Sequence, residues 1–167
     1  MNKASFYAGV LLVSFAVLML QIVQTRILSV VVWYHLAFFV ISLAMFGLTA
    51  GAVWVYLKGE RYSAKTLSYD LAHFSGLFAV GTAICLAVQM TLAPVITRLV
   101  TTLWVWTELA VCLSVPFFFA GVVISLALTR SPYPVARVYG VDLVGAAGGA
   151  VGALLLLELT DGPSAVL

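Results

Sequence analysis

Charge is what this sequence has least of. Of 167 residues, eight are Lys or Arg and six are Asp or Glu, or 8% of the chain, against roughly 25% in a soluble globular domain. So few charges cannot build a water-facing surface for a chain of this length, which excludes a soluble enzyme, a disordered tail and a nucleic-acid binder. The net charge of +2 is too small to recruit a polyanion. Histidine is scarcer still. His35 and His73 fall in opposite leaflets of the arrangement derived below, so neither has a histidine partner for a two-histidine haem. No lysine sits in the middle of an apolar run, which removes a retinal Schiff base. No zinc-type ligand cluster exists, and no glycine-rich nucleotide loop follows a strand. No metal and no cofactor is expected. The two cysteines, Cys85 and Cys112, lie inside apolar runs and read as small packing residues rather than a disulfide.

What is abundant is apolar. Hydrophobic residues make up 64% of the chain and the mean hydropathy is +1.18, so lipid is the solvent. A hydrocarbon core about 30 Å thick needs roughly 20 apolar residues in helix. Five runs meet that length, at about 6–28, 31–57, 71–93, 99–128 and 138–157. They are continuously apolar, where a β-barrel would alternate over shorter segments. The expected fold is all-α, a polytopic helical membrane protein forming one domain over 1–167. The first run is a retained helix rather than a signal peptide, because no small-x-small cleavage site follows it. The terminal Asp161-Gly162-Pro163 turn, followed by a few apolar residues, predicts the start of a sixth helix, cut short.

Lys3, Lys58, Arg61, Lys65, Arg130 and Arg137 fall on one side of this arrangement and only Arg26 and Arg98 on the other, which predicts a cytoplasmic amino-terminus. Aromatic residues mark both interfaces: Trp33, Tyr34, Trp104 and Trp106 at the outer edge, Tyr7, Trp54, Tyr56 and Tyr139 at the inner.

Ionisable groups inside apolar runs are expensive and need a reason. Glu108 lies several residues into the fourth run, and Arg26 near the outer end of the first. Gln21 and Gln24, spaced i, i+3, share a helix face; His35 opens the second run, and Gln89 lies towards the outer end of the third. These residues form a candidate outer-leaflet polar cluster. It is read either as a proton or cation site at Glu108 with Arg26 as counter-ion, or as one structural ion pair with hydrogen-bonding glutamines. A candidate inner-leaflet cluster comprises Asp142, Arg137 and His73, with Asp142 expected in the first turn of the fifth helix, where the helix dipole favours an anion.

Small residues give a further signal. Gly145/Gly149, Gly148/Gly152 and Gly47/Gly51 each have GxxxG spacing, which lets a neighbouring helix approach closely. Packing within the bundle is the first use for these faces, and docking of a protein partner or a second copy the other. Pro116 removes a backbone donor in the fourth helix and is expected to kink it.

Three stretches carry a resemblance: Gln21-Ile-Val-Gln24-Thr25-Arg26-Ile-Leu-Ser29 running into Trp33-Tyr34-His35; Pro116-Phe-Phe-Phe-Ala-Gly121; and Arg137-Val-Tyr139-Gly140-Val-Asp142-Leu-Val-Gly145-Ala-Ala-Gly148, followed by Asp161-Gly162-Pro163. Together they resemble the amino-terminal membrane region of integral-membrane spermidine synthase-like proteins of bacteria. One departure is Gln24, where that family's pattern has an aromatic residue. The resemblance implies a bacterial inner-membrane location, and a membrane part preceding a soluble aminopropyltransferase-like domain. No catalytic residue of that domain has a counterpart here. The expected function is membrane anchoring and scaffolding. The alternatives are an accessory subunit of a larger membrane complex and a small cation or polyamine transporter using Glu108.

Overall fold

The computed structural model describes residues 2–31, 36–62, 66–91 and 99–159. Five α-helices account for most of them: α1 (Lys3–Val31), α2 (Leu36–Leu57), α3 (Leu67–Thr91), α4 (Leu99–Arg130) and α5 (Val135–Leu159), with one short 3₁₀ turn at Gly59–Arg61. All five are long and apolar enough to cross a membrane, and the protein is an all-α helical membrane protein in architecture. Several helices outrun the apolar stretches that mark them. Backbone hydrogen bonding does not stop where the hydrocarbon does, so α1 starts at Lys3, where the Phe6 amide donates to the Asn2 carbonyl. Two prolines end the continuity of α4 and α5. Ser131-Pro132-Tyr133-Pro134 cannot extend a helix, and the Pro134 carbonyl then accepts from the amides of Arg137 and Val138 to start α5.

α4 is the central element. It packs on α2, α3 and α1, and touches α5. Its Leu113, Phe117, Ala120, Val122, Leu126 and Ala127 are all but fully buried. α3 packs chiefly on α4, and α5 chiefly on α1.

Two of the closest contacts join parallel helices that are not sequence neighbours. Gly47 of α2 meets Ser114 and Phe117 of α4, and one turn on Gly51 meets Phe118 and Val122; Gly121 of α4 returns the contact at Leu48. In the same way Gly145 of α5 meets Leu11 of α1, and Gly149 meets Phe15. In each pair the residue number advances together on both helices, so the two run in the same direction. A Cβ on Gly47 would stand 2.5 Å from the Ser114 carbonyl oxygen, and one on Gly145 2.5 Å from that of Leu11. No side chain fits there. The Phe15 ring lies in the groove that Gly148 and Gly152 leave open, 3.3 Å and 2.9 Å from where their Cβ atoms would be. The glycine faces foreseen on α2 and α5 are therefore spent inside the bundle.

At the end holding Lys3, Lys58, Arg61, Arg130 and Arg137, aromatic contacts close the helix ends. Tyr133 packs on Phe6 and Tyr7 at ring-centroid distances of 4.9 Å and 5.4 Å. The Trp54 indole donates to the Tyr62 hydroxyl at 3.1 Å, and the Lys58 ammonium lies 5.5 Å from the Trp54 ring centroid.

The glycine contacts set a direct expectation. Gly149→Leu should cost at least about 1–3 kcal/mol, the usual range for overpacking, because the obstacle is Phe15 backbone rather than a movable side-chain tip. Gly140→Ala, with nothing within 4 Å of the added methyl, should be neutral or gain up to about 1 kcal/mol of helix propensity. Reversible unfolding in mixed detergent and SDS reads both. Equal losses at the two positions would show that α5 is not held by close backbone approach.

Candidate functional site

The outer-leaflet cluster divides by helix face. The buried stripe of α1 runs through Phe6, Val10, Val13, Val17, Gln24 and Leu28, so Gln24 points into the bundle and is only 3% exposed. Arg26, two residues on, falls on a different side of the helix, since i, i+2 positions do not share a face, and it is exposed. Glu108 is half-buried on α4. Among the described residues no ion pair joins Arg26 to Glu108, so the counter-ion reading and the structural-pair reading both lose their central contact. Gln21 is half-buried, and its backbone carbonyl accepts from the Thr25 hydroxyl at 2.7 Å. His35, Trp33, Tyr34, Lys65 and Arg98, together with the expected turn into a sixth helix, lie outside the described residues.

What this layer holds instead is unspent hydrogen-bonding capacity. The Gln24 Oε1 and both amide atoms of Gln89 are buried without a partner among the described residues. Such groups cost about 1–3 kcal/mol each when left unmade, and α3 and α4 meet along the stripe that carries Gln89. Leu67 packs with Val122 and Leu126. Gly81 faces Phe119 and Val115, at 3.7 Å and 3.9 Å from its Cβ position. Residue numbers rise on α3 as they fall on α4, so the pair is antiparallel. Continued outward, this register puts Cys85 level with Cys112 and Gln89 level with Glu108. The two cysteines are neighbours across this contact: both are unoxidised, and Cys112 is the side chain next to the Cys85 thiol. Reading each cysteine within its own apolar run missed this pairing; the signal that finds it is the antiparallel register of α3 against α4.

The inner cluster is rebuilt more thoroughly. α5 begins at Val135, three residues before the apolar run, so Asp142 is its eighth residue, about two turns in. It is not in the first turn, and the helix-terminus reading of Asp142 is corrected. Neither Arg137 nor His73 pairs with it among the described residues. Arg137 is exposed, and His73 is exposed on α3, stacked on Tyr69 at 6.0 Å and edge-on to Phe74 at 5.5 Å. The fold explains why His73 is elsewhere: α3 packs on α4 and α5 on α1.

The partner Asp142 does have is Ser14 of α1, a residue that composition gave no reason to single out. The Ser14 hydroxyl, 3% exposed, lies 2.5 Å from Asp142 Oδ1 and 2.9 Å from the Val10 carbonyl oxygen. The glycines place it there. With Gly145 against Leu11 and Ser14, the α1 and α5 backbones are close enough for a side chain as short as serine to span the gap. This interhelix bond acts as a strut between α1 and α5. Among the described residues no group of three or more His, Cys, Asp or Glu converges on one point.

Comparison with protein-family models, curated proteins and solved structures gives no match.

Two expectations test these assignments. Ser14→Ala should cost about 0.5–2 kcal/mol, and Asp142→Asn, which keeps an acceptor oxygen, should cost less than Asp142→Leu. In a double-mutant cycle Ser14→Ala and Asp142→Leu should be strongly non-additive, whereas Arg26→Gln and Glu108→Gln should add within about 0.5 kcal/mol. Additivity in the first cycle would mean that the hydroxyl and carboxyl groups do not meet.

Proposed function

We propose that this chain is a membrane-anchoring and scaffolding bundle, the membrane part of a spermidine synthase-like protein of the bacterial inner membrane. The observation that carries the reading is the close backbone packing of the helices. Four of the five helices are fastened by glycine–backbone contact, α2 on α4 and α5 on α1, and apolar side chains fill the space around α4. Helices fastened in this way keep their relative positions, which is what a platform for another domain or subunit requires.

The charge distribution supports an orientation. Lys3, Lys58, Arg61, Arg130 and Arg137 gather at one end of the helices, and an excess of Lys and Arg marks cytoplasmic ends. On this reading the amino-terminus is cytoplasmic. Transport at Glu108 is the competing reading, favoured by the partnerless Gln24 Oε1 and Gln89 amide, which leave polar capacity at the depth where a permeating group would need it.

Reconstitution separates the two. Proteoliposomes are expected to show proton and cation fluxes no higher than empty liposomes. Flux that exceeds them and is abolished by Glu108→Gln, with unfolding unchanged, would overturn the scaffold reading in favour of transport. The parent protein's intact mass, measured after extraction from its own membranes in mild detergent, is expected to lie well above 17.9 kDa. For orientation, Trp104→Cys in a background with Cys85 and Cys112 replaced by serine should react with a membrane-impermeant maleimide from the outside of intact cells, and Arg61→Cys should not.

A further inference from the structure

The geometry points to Cys85 and Cys112 as a redox modification site, a dithiol that closes into a disulfide between α3 and α4 when a bilayer-soluble quinone accepts its electrons. Both cysteines lie on the stripe where the two helices face each other, one turn beyond the contact of Gly81 with Val115 and Phe119. Cys112 is the side chain next to the Cys85 thiol, and neither is committed to a disulfide. Helix Cα atoms lie about 2.3 Å from their axis. At an axis separation of about 9–10 Å, the upper part of the usual range, facing Cα atoms stand about 4.4–5.4 Å apart, inside the span of about 4.4–6.8 Å that a disulfide bridges.

Pro116 assists the closure. It has no amide hydrogen, so the Cys112 carbonyl loses the donor that would normally arrive from four residues on. The backbone that carries Cys112 is therefore less firmly held than a regular turn and can take up the small adjustment a disulfide demands. The oxidant class follows from position. Cys85 is 6% exposed and both thiols lie within membrane-spanning segments, so a water-borne oxidant has no path to them. In the reaction the S–S bond forms as two S–H bonds break. The two electrons and two protons pass to the quinone, which leaves as the quinol.

The test uses the whole chain in proteoliposomes with duroquinone, whose substituted ring positions leave thiols no open site for addition. After treatment the protein is unfolded and alkylated. The alkylatable thiols should fall from two to none, and non-reducing peptide mapping should recover Cys85 linked to Cys112 within one chain. Oxidised protein should also resist SDS unfolding more than untreated protein, an increment that dithiothreitol reverses and that Cys85→Ser and Cys112→Ser each lack. Two cysteines that still alkylate after duroquinone would overturn the proposal, as would a disulfide between two chains. Equally fast oxidation by glutathione disulfide, which stays in water, would overturn the assigned class of oxidant.

Discussion

Helices surrounded by lipid gain nothing by hiding apolar side chains from one another, because the solvent they leave is as apolar as the partner they meet. Cohesion must come from contact itself, and dispersion falls off over fractions of an ångström. This protein meets the constraint by letting backbone touch backbone. At Gly47, Gly51 and Gly121 the α2 and α4 chains approach so closely that a methyl group would strike a carbonyl or amide of the opposite helix, and Gly145 and Gly149 do the same for α5 against α1. The pairs so joined are parallel, and in each the two helices are separated in the sequence by at least one other. Hairpins between neighbours bring α1 beside α2 and α3 beside α4, while the glycines bring together the helices that hairpins cannot. The topology rests on them.

Other features follow from that approach. α4 is held on several sides, and its buried stripe from Leu113 to Ala127 is the core. α5 is held on one side only, chiefly by α1, and turns Leu143, Val144, Val151 and Leu154 outwards, an apolar face suited to lipid. The Ser14–Asp142 contact belongs to the same logic. A hydroxyl on a single carbon reaches a carboxylate on the next helix only where the backbones are nearly touching, so the bond reports the glycine packing as much as it supports it. Its position beside Gly145 also explains how a carboxyl group is tolerated two turns inside a membrane helix, since the costly group has a donor within reach.

The sequence shows the helices plainly and their neighbours poorly. Continuous apolar runs of sufficient length locate all five, because the hydrocarbon thickness imposes one length on every span. The ends are less legible: Val135 to Arg137 are helical although the apolar run begins at Val138, since headgroup-level residues can be polar and still helical. Glycine spacing on α2 and α5 signals close packing but not the partner, which proves to be α4 in one case and α1 in the other. The polar residues show the largest gap. Arg26 and Glu108 invite pairing as the conspicuous opposite charges at one depth, yet depth is only one coordinate, and rotation about the helix axis puts Arg26 on the outside. Asp142 attracted the nearest arginine and a histidine at a similar depth, and found a serine instead. Its partner depended on which helix lies alongside, a fact of tertiary packing that neither charge nor spacing along the chain contains.

The two halves of α4 are built differently. From Ser114 to Val122 the helix is clamped by the glycines of α2 and pressed by the Phe74, Phe78 and Phe119 cluster. Outward of Pro116 the same helix carries Cys112 and Glu108 and loses one backbone hydrogen bond. The α3 helix opposite carries Cys85 and the partnerless amide of Gln89. The outer half is packed as well, through Leu113 against Leu28 of α1 and Val40 of α2, so the polar groups there sit beside an apolar core. A covalent tie between Cys85 and Cys112 would join α3 to α4 at the turn whose carbonyl Pro116 leaves without its helical donor.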